Sequence, residues 1–127
     1  MKFQNNALFW QKLENLFFSS ELIIERPKNS VHPKYANMIY PVDYGYLKDT
    51  ASSDKAGIDV FVGSHKEKTI ENIVVAVDIL KKDLEVKILW SCSEEEIKNI
   101  LLFLNQSDYQ KTILLSKGSE LPFWAES

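Results

Sequence analysis

YPVDYGYLKDTASSDKAGIDVFVG, residues 40–63, carries most of the structural information in this sequence. The stretch holds three tyrosines and four aspartates, and it closes on the apolar run IDVFV, which is typical of a buried strand. Asp54 and Asp59 lie just before and at the start of this run. A turn at residues 55–57 would bring their carboxylates to one place. A surface loop needs polar residues, but it does not need them in this order.

The length and composition predict one domain, residues 1–127, with a single core. No run of about 18 uncharged apolar residues is present, so no transmembrane helix is indicated. Lys12 and Glu14 interrupt the apolar N-terminal segment and argue against a signal peptide. Cys92 is the only cysteine and has no partner for an internal disulfide. We therefore expect a cytoplasmic protein in which Cys92 is a small buried hydrophobic residue.

The charge balance limits the classes of partner. The chain has 15 basic and 18 acidic residues, a net charge of −3, and no basic stripe. Binding to nucleic acid requires strong positive charge against the phosphates, so we expect no nucleic-acid partner. A small phosphorylated ligand is compatible with this charge, because a metal ion can supply the missing positive charge.

The apolar pattern predicts a mixed class that is mainly β. Helical spacing indicates a helix over residues 7–18, and Ser93 and Glu96 match the capping box of a second helix over residues 93–105. The strand candidates are residues 21–25, 58–62, 69–80, 84–90 and 112–115. The prolines and glycines of residues 27–57 indicate loops and short edge strands. We predict an α+β fold, a small and mainly antiparallel β barrel over residues 21–92 with two flanking helices. The wide apolar arc of the first helix and the tail LPFWAES suggest a homo-oligomer.

A second acidic group lies in the predicted hairpin. Glu85 and Lys87 are two apart on a strand and point to the same face. A turn at residues 82–83 would place Asp78 opposite Lys87. A barrel could then gather three carboxylates, which repel one another unless a cation such as Mg²⁺ lies between them. These three carboxylates belong to Asp54, Asp59 and Glu85.

The same residues have simpler explanations. Glu85 and Lys87 could lie on an exposed sheet face, and Asp78 and Lys87 could form an ordinary cross-strand pair. Single aspartates are usually solvated or cap a turn. Tyrosines 40, 44 and 46 could be packing residues of the barrel.

Three motifs resemble the central motifs of the soluble family I inorganic pyrophosphatases. They are IERPKNSVHPKY at residues 24–35, YPVDYGYLKDT at residues 40–50 and DKAGIDVFVG at residues 54–63. The match runs from about residue 21 to residue 63, with a weaker continuation to Lys87. The resemblance implies an OB-fold-like barrel that hydrolyses pyrophosphate, or another phosphoanhydride, to phosphate with Mg²⁺ or alternatively Mn²⁺.

The resemblance also implies roles for individual residues. Metal ligands would be Asp54, Asp59 and Glu85. The catalytic group would comprise Tyr44, Lys34, Lys87 and Glu25, with Glu25 positioning metal-bound waters. Substrate contacts would come from Lys34, Tyr44, Lys87, Tyr109 and Lys111.

The chain departs from the family pattern at several positions. Ala56 stands where the family has an aspartate next to the attacking water, and loss of a general base typically costs about 10² to 10⁴ in rate. A phosphate-binding arginine after Lys34 has no counterpart, and Arg26 or Lys48 would have to replace it. Glu85 stands where the family has a third metal-binding aspartate. The sequence therefore leaves two functions open, a weakened hydrolase and a non-catalytic protein that binds a phosphorylated ligand or a partner protein.

Overall fold

The computed structural model describes residues 5–52 and 56–121 of the chain. Residues 1–4, 53–55 and 122–127 lie outside the described residues, and with them Asp54, the first residue of the turn predicted at residues 55–57 and most of the tail LPFWAES. The elements follow in the order α1 (Ala7–Phe18), β1 (Leu22–Arg26), β2 (Asp43–Leu47), β3 (Ile58–Val62), β4 (Ile70–Asp78), β5 (Asp83–Trp90), α2 (Glu94–Leu104) and β6 (Gln110–Ser116).

The six strands form one sheet in the order β1-β2-β3-β5-β4-β6. Four neighbouring pairs are antiparallel and one, β3 with β5, is parallel. Among the described strands, β1 and β6 are the two edges, so the sheet is open rather than a closed ring. The predicted class is confirmed, a mainly β α+β fold with two helices.

Two apolar clusters place the helices on opposite faces of the sheet. Neighbouring strand residues point to opposite faces, and Val60 packs in one cluster while Phe61 packs in the other. The cluster beneath α1 contains Trp10, Phe17, Leu47, Val60, Ile70, Ile73 and Ile88. The cluster beneath α2 contains Tyr40, Val42, Phe61, Val74, Leu89, Ile100, Phe103 and Leu104. The face that α2 covers only in part is therefore the face that can carry a site.

Strand β2 corrects one prediction. It lies between β1 and β3 rather than at an edge of the sheet. Gly45 permits this position, because a Cβ there would lie 1.9 Å from the backbone oxygen of Ile23 on β1. The glycine that indicated a loop in the sequence is thus what lets an interior strand pack closely against its neighbour.

The β4–β5 hairpin has a different register from the predicted one. Asp78 pairs with Asp83, and the residue opposite Lys87 is Val74. Asp78 therefore does not form a cross-strand pair with Lys87. Its carboxylate instead accepts hydrogen bonds from the backbone N–H groups of Leu80 and Lys81, at 2.9 and 3.0 Å. This cap fixes a turn over residues 79–82 and sets the register of both strands.

The start of α2 carries the predicted capping box. The Ser93 hydroxyl accepts from the Glu96 N–H, and the Glu96 carboxylate accepts from the Ser93 N–H. The same carboxylate accepts from the N–H and hydroxyl of Ser64, which ties the helix to the end of β3. Burial tends to raise the pKa of Glu96, but the hydrogen bonds from Ser93 and Ser64 outweigh it and lower the pKa below its ordinary value.

We expect Glu96→Gln to cost about 1 kcal/mol of unfolding free energy at neutral pH, since glutamine keeps the capping geometry but loses the charge. A lowered native pKa stabilises the fold above the ordinary carboxyl pKa, and this contribution is lost as the pH falls through the native pKa. The difference between the two proteins should therefore be present at neutral pH and should disappear at an acid pH below the native pKa of Glu96. Urea unfolding of both proteins at neutral pH and at acid pH measures this difference in unfolding free energy. A difference that does not change with pH would contradict this assignment.

Cys92 behaves as a packing residue. Burial, helped by the Glu96 carboxylate, raises the pKa of its thiol to about 12. The thiol is therefore protonated at neutral pH and is a poor nucleophile.

No helix in the described part of the chain is both long and apolar enough to cross a membrane.

Candidate functional site

The ammonium group of Lys87 is the centre of the candidate site. It lies 2.7 Å from a carboxylate oxygen of Asp59, 3.2 Å from one of Glu85 and 3.0 Å from the Tyr44 hydroxyl. The side chains of Lys87, Asp59 and Glu85 are 9%, 18% and 11% exposed. Two carboxylates therefore share one ammonium group in a largely desolvated position.

The sheet places these four side chains together. Asp59 on β3 pairs directly with Lys87 on the parallel strand β5, and Glu85 precedes Lys87 by two positions on the same face. Tyr44 on β2 pairs with Phe61, which shares the face of Asp59. The predicted common face of Glu85 and Lys87 is confirmed, and this face is a lined cavity rather than an open surface.

Burial and charge oppose each other at this centre. Burial tends to lower the pKa of Lys87, but Tyr44 and Asp59 raise it above its ordinary value. Burial raises the pKa of the Tyr44 hydroxyl, and Lys87 offsets this effect only in part. At neutral pH the lysine is therefore charged and the phenol is neutral. The ammonium group already donates to Tyr44, Asp59 and Glu85, so an anion that binds Lys87 takes the place of one of these partners.

A cavity of about 840 Å³ opens above this centre. It lies between the β2–β3–β5 face, the loop over residues 32–38, the turn of the β4–β5 hairpin and the end of α2. The candidate residues that line it are Glu25, Lys34, Tyr44, Asp59, Glu85, Lys87 and Tyr109. Residues far apart in sequence thus line one cavity.

Among the described candidate residues, Lys111 alone is not brought into the cavity. Its ammonium group donates to the backbone carbonyls of Asn105 and Ser107, at 3.2 and 3.0 Å. That arrangement joins β6 to the end of α2, which is a structural role. Asp54 lies outside the described residues, although its neighbour Ala56 lines the cavity.

Arg26 enters the cavity, whereas Lys48 does not line it. The register shifts between Ile24 and Arg26, so a bulge ends β1 and turns the arginine toward Tyr44. The guanidinium donates to the Tyr40 hydroxyl and lies 5.5 Å from the Tyr40 ring centroid and 5.8 Å from that of Tyr44. The sequence left Arg26 and Lys48 as alternative replacements for the phosphate-binding arginine of the family. The bulge in β1, which the sequence did not predict, is what brings Arg26 into the cavity.

The carboxylates of Asp59 and Glu85 suit a hard divalent cation. The described residues contain no group of three or more acidic, histidine or cysteine side chains that could hold a metal ion. Mg²⁺ is usually bound through one or two carboxylates, with water and substrate phosphates completing its shell. Carboxylate oxygens of Asp59 and Glu85 lie 2.7 and 3.2 Å from the same ammonium group, so the two carboxylates are close to each other. This donor set fits such an ion.

Comparison with solved structures shows which known proteins have a similar fold. Similar structures are the inorganic pyrophosphatases of Neisseria gonorrhoeae, Coxiella burnetii and Helicobacter pylori, with TM-scores of 0.60, 0.56 and 0.51. The fold is pyrophosphatase-like. The alignments cover 75% of this chain and 80%, 84% and 81% of those chains, at 16%, 16% and 13% identity. No family model and no curated protein matches the sequence.

Proposed function

We propose that this pyrophosphatase-like chain is a Mg²⁺-dependent phosphoanhydride hydrolase that converts pyrophosphate into two phosphates. The observation that carries the proposal is the sharing of the Lys87 ammonium by Asp59 and Glu85 at the base of the cavity. A divalent cation and a phosphate anion have complementary partners there, because carboxylates bind the cation and ammonium binds the anion. The pyrophosphatase-like fold supports the same reaction class.

The side chains divide into two roles. Asp59 and Glu85, with Asp54, hold the cation, whose chemistry is to neutralise phosphate charge and to make a bound water more acidic. Lys87 and Lys34 bind phosphate oxygens and stabilise the charge that shifts onto them as the bridging P–O bond breaks. The neutral Tyr44 hydroxyl donates to a phosphate oxygen, and Glu25 orients water.

A second function is favoured by one observation. Ala56 lines the cavity and has no proton acceptor in its side chain. A cavity that keeps its phosphate-binding groups but lacks a base would bind a phosphorylated ligand without cleaving it. This is the alternative to the hydrolase.

A phosphate-release assay separates the two functions. With Mg²⁺ and pyrophosphate, the hydrolase releases phosphate at a rate that EDTA abolishes. Calorimetry with pyrophosphate and Mg²⁺ measures binding independently of turnover. Binding without phosphate release would overturn the hydrolase and support the binding protein. Neither binding nor release would overturn both.

Ala56→Asp is expected to raise the rate of phosphate release by about 10- to 100-fold, because it supplies a carboxylate base at the cavity wall. The side chain of Ala56 is exposed, so the added charge stays hydrated. Ala56→Asn is the matched control, since it has nearly the same shape and no basic carboxylate. An equal rate for both variants would contradict the assignment of Ala56 as the missing base position.

A further inference from the structure

The cavity is large for pyrophosphate. Its volume of about 840 Å³ lies in the upper part of the range for sites that enclose drug-sized organic ligands. The charged side chains of Asp59, Glu85 and Lys87 form its base. The rest of the lining is rich in apolar and aromatic side chains, namely Tyr35, Met38, Tyr40, Phe61, Leu80, Phe103, Leu104 and Tyr109.

An aromatic path leads from the charged base to the mouth. The Tyr44 ring lies 5.2 Å from Tyr40, and the His32 ring lies nearly parallel to Tyr40 at 6.1 Å. Tyr35 follows, 5.0 Å from His32, and is 52% exposed. A ring with this exposure offers a free face at the mouth, while Tyr40 is fully packed.

The two rims of the cavity mouth carry the same types of side chain. His32 lines the cavity together with three cations, Arg26, Lys34 and Lys81. Burial, and then the charges of these cations, lowers the pKa of His32. Lys81 belongs to the hairpin turn, which therefore faces the loop that carries Lys34. Tyr109 lies beside the same turn, because its carbonyl accepts from the Ile79 N–H at 3.0 Å, and its side chain is 50% exposed. Each rim thus carries a lysine and a half-exposed tyrosine.

We propose that the cavity takes a nucleoside diphosphate, whose base lies against Tyr35 and Tyr109 while its phosphates reach Arg26, Lys34 and Lys87. Aromatic rings stack on any base because every base has a π-face, and the cations bind the phosphates. This proposal rests on the phosphoanhydride site proposed above. Water adds to the terminal phosphorus, the bridging P–O bond breaks, and the products are a nucleoside monophosphate and phosphate.

Calorimetry with two non-hydrolysable probes tests the ligand class directly. In the presence of Mg²⁺, we compare the methylene-bridged analogue of ADP with methylenediphosphonate, which has the same bridge and no nucleoside. The ADP analogue should bind at least about 10-fold more tightly. Tyr35→Ala should remove most of that difference, and Tyr35→Phe should keep it because the ring remains. Phe9→Ala is the control, since Phe9 is equally exposed but lies on α1 outside the cavity.

The outcomes separate this proposal from the hydrolase. Equal affinities for the two probes, or a Tyr35→Ala variant with an unchanged difference, would overturn the nucleotide proposal. Release of phosphate from pyrophosphate would then still support the hydrolase. Tight, Tyr35-dependent binding of the ADP analogue without release of phosphate from ADP or pyrophosphate would support the nucleotide ligand and overturn hydrolysis.

Discussion

Asp59→Asn is expected to lower phosphate release from pyrophosphate by about 10³-fold. Asp59 makes the shortest contact with Lys87, at 2.7 Å, and is proposed to bind the cation. Asparagine keeps the size of the side chain but removes the negative charge that attracts both the Lys87 ammonium and the proposed cation. The effect should fall on kcat, because the lost interaction is strongest as charge shifts in the transition state.

Folding and a matched variant serve as controls for Asp59→Asn. Glu85 and Tyr44 still contact Lys87 in this variant, so we expect a loss of unfolding free energy of no more than about 2 kcal/mol. Asp83→Asn is the comparison on the same sheet, since Asp83 does not line the cavity, and it should retain wild-type turnover. If the wild type and Asp59→Asn release phosphate at the same rate, the proposed role of Asp59 is wrong.

Lys87→Met should destabilise the protein by about 3 to 5 kcal/mol in EDTA. Methionine nearly matches the volume of lysine but removes the ammonium that Asp59 and Glu85 share. Two poorly solvated carboxylates are then left close together without that charge. Added Mg²⁺ should restore part of the stability, because a cation that binds only the folded state shifts the unfolding equilibrium. Urea unfolding with EDTA and with saturating Mg²⁺ measures both effects.

Lys117→Met is the control for Lys87→Met. Lys117 lies 2.8 Å from Glu14, but the two side chains are 36% and 32% exposed. Exposed pairs contribute little, so the loss should stay below about 1 kcal/mol and should not respond to Mg²⁺. A Lys87→Met protein as stable as the wild type in EDTA would show that the buried pair does not hold the site together.

The sequence was informative where a local pattern determines structure. The spacing of apolar residues predicted α1 at residues 7–18, and the pairing of Ser93 with Glu96 predicted the start of α2. The alternation of Glu85 and Lys87 predicted their common face. Each of these features depends on residues within a few positions of one another, so the chain itself contains the information.

Of the three features that the sequence did not predict, one depends on a local cap and two depend on contacts between distant segments. The hairpin register follows from the cap that Asp78 places on its own turn, and a shift of the turn moves every partner along β4 and β5. The interior position of β2 follows from close packing of Gly45 against β1. The direction of Arg26 follows from a bulge in the β1–β2 pairing. Contacts with a strand that is distant in sequence determine the last two features.

A crystal soaked with Mn²⁺ and methylenediphosphonate tests most directly whether Asp59 and Glu85 form one cation site beside a phosphate-binding Lys87. We predict an anomalous manganese peak bonded to carboxylate oxygens of both residues, with a phosphonate oxygen within hydrogen-bond distance of the lysine. A cavity in which the phosphonate is absent, or in which manganese binds away from both carboxylates while Lys87 keeps its two ion pairs, would contradict the account.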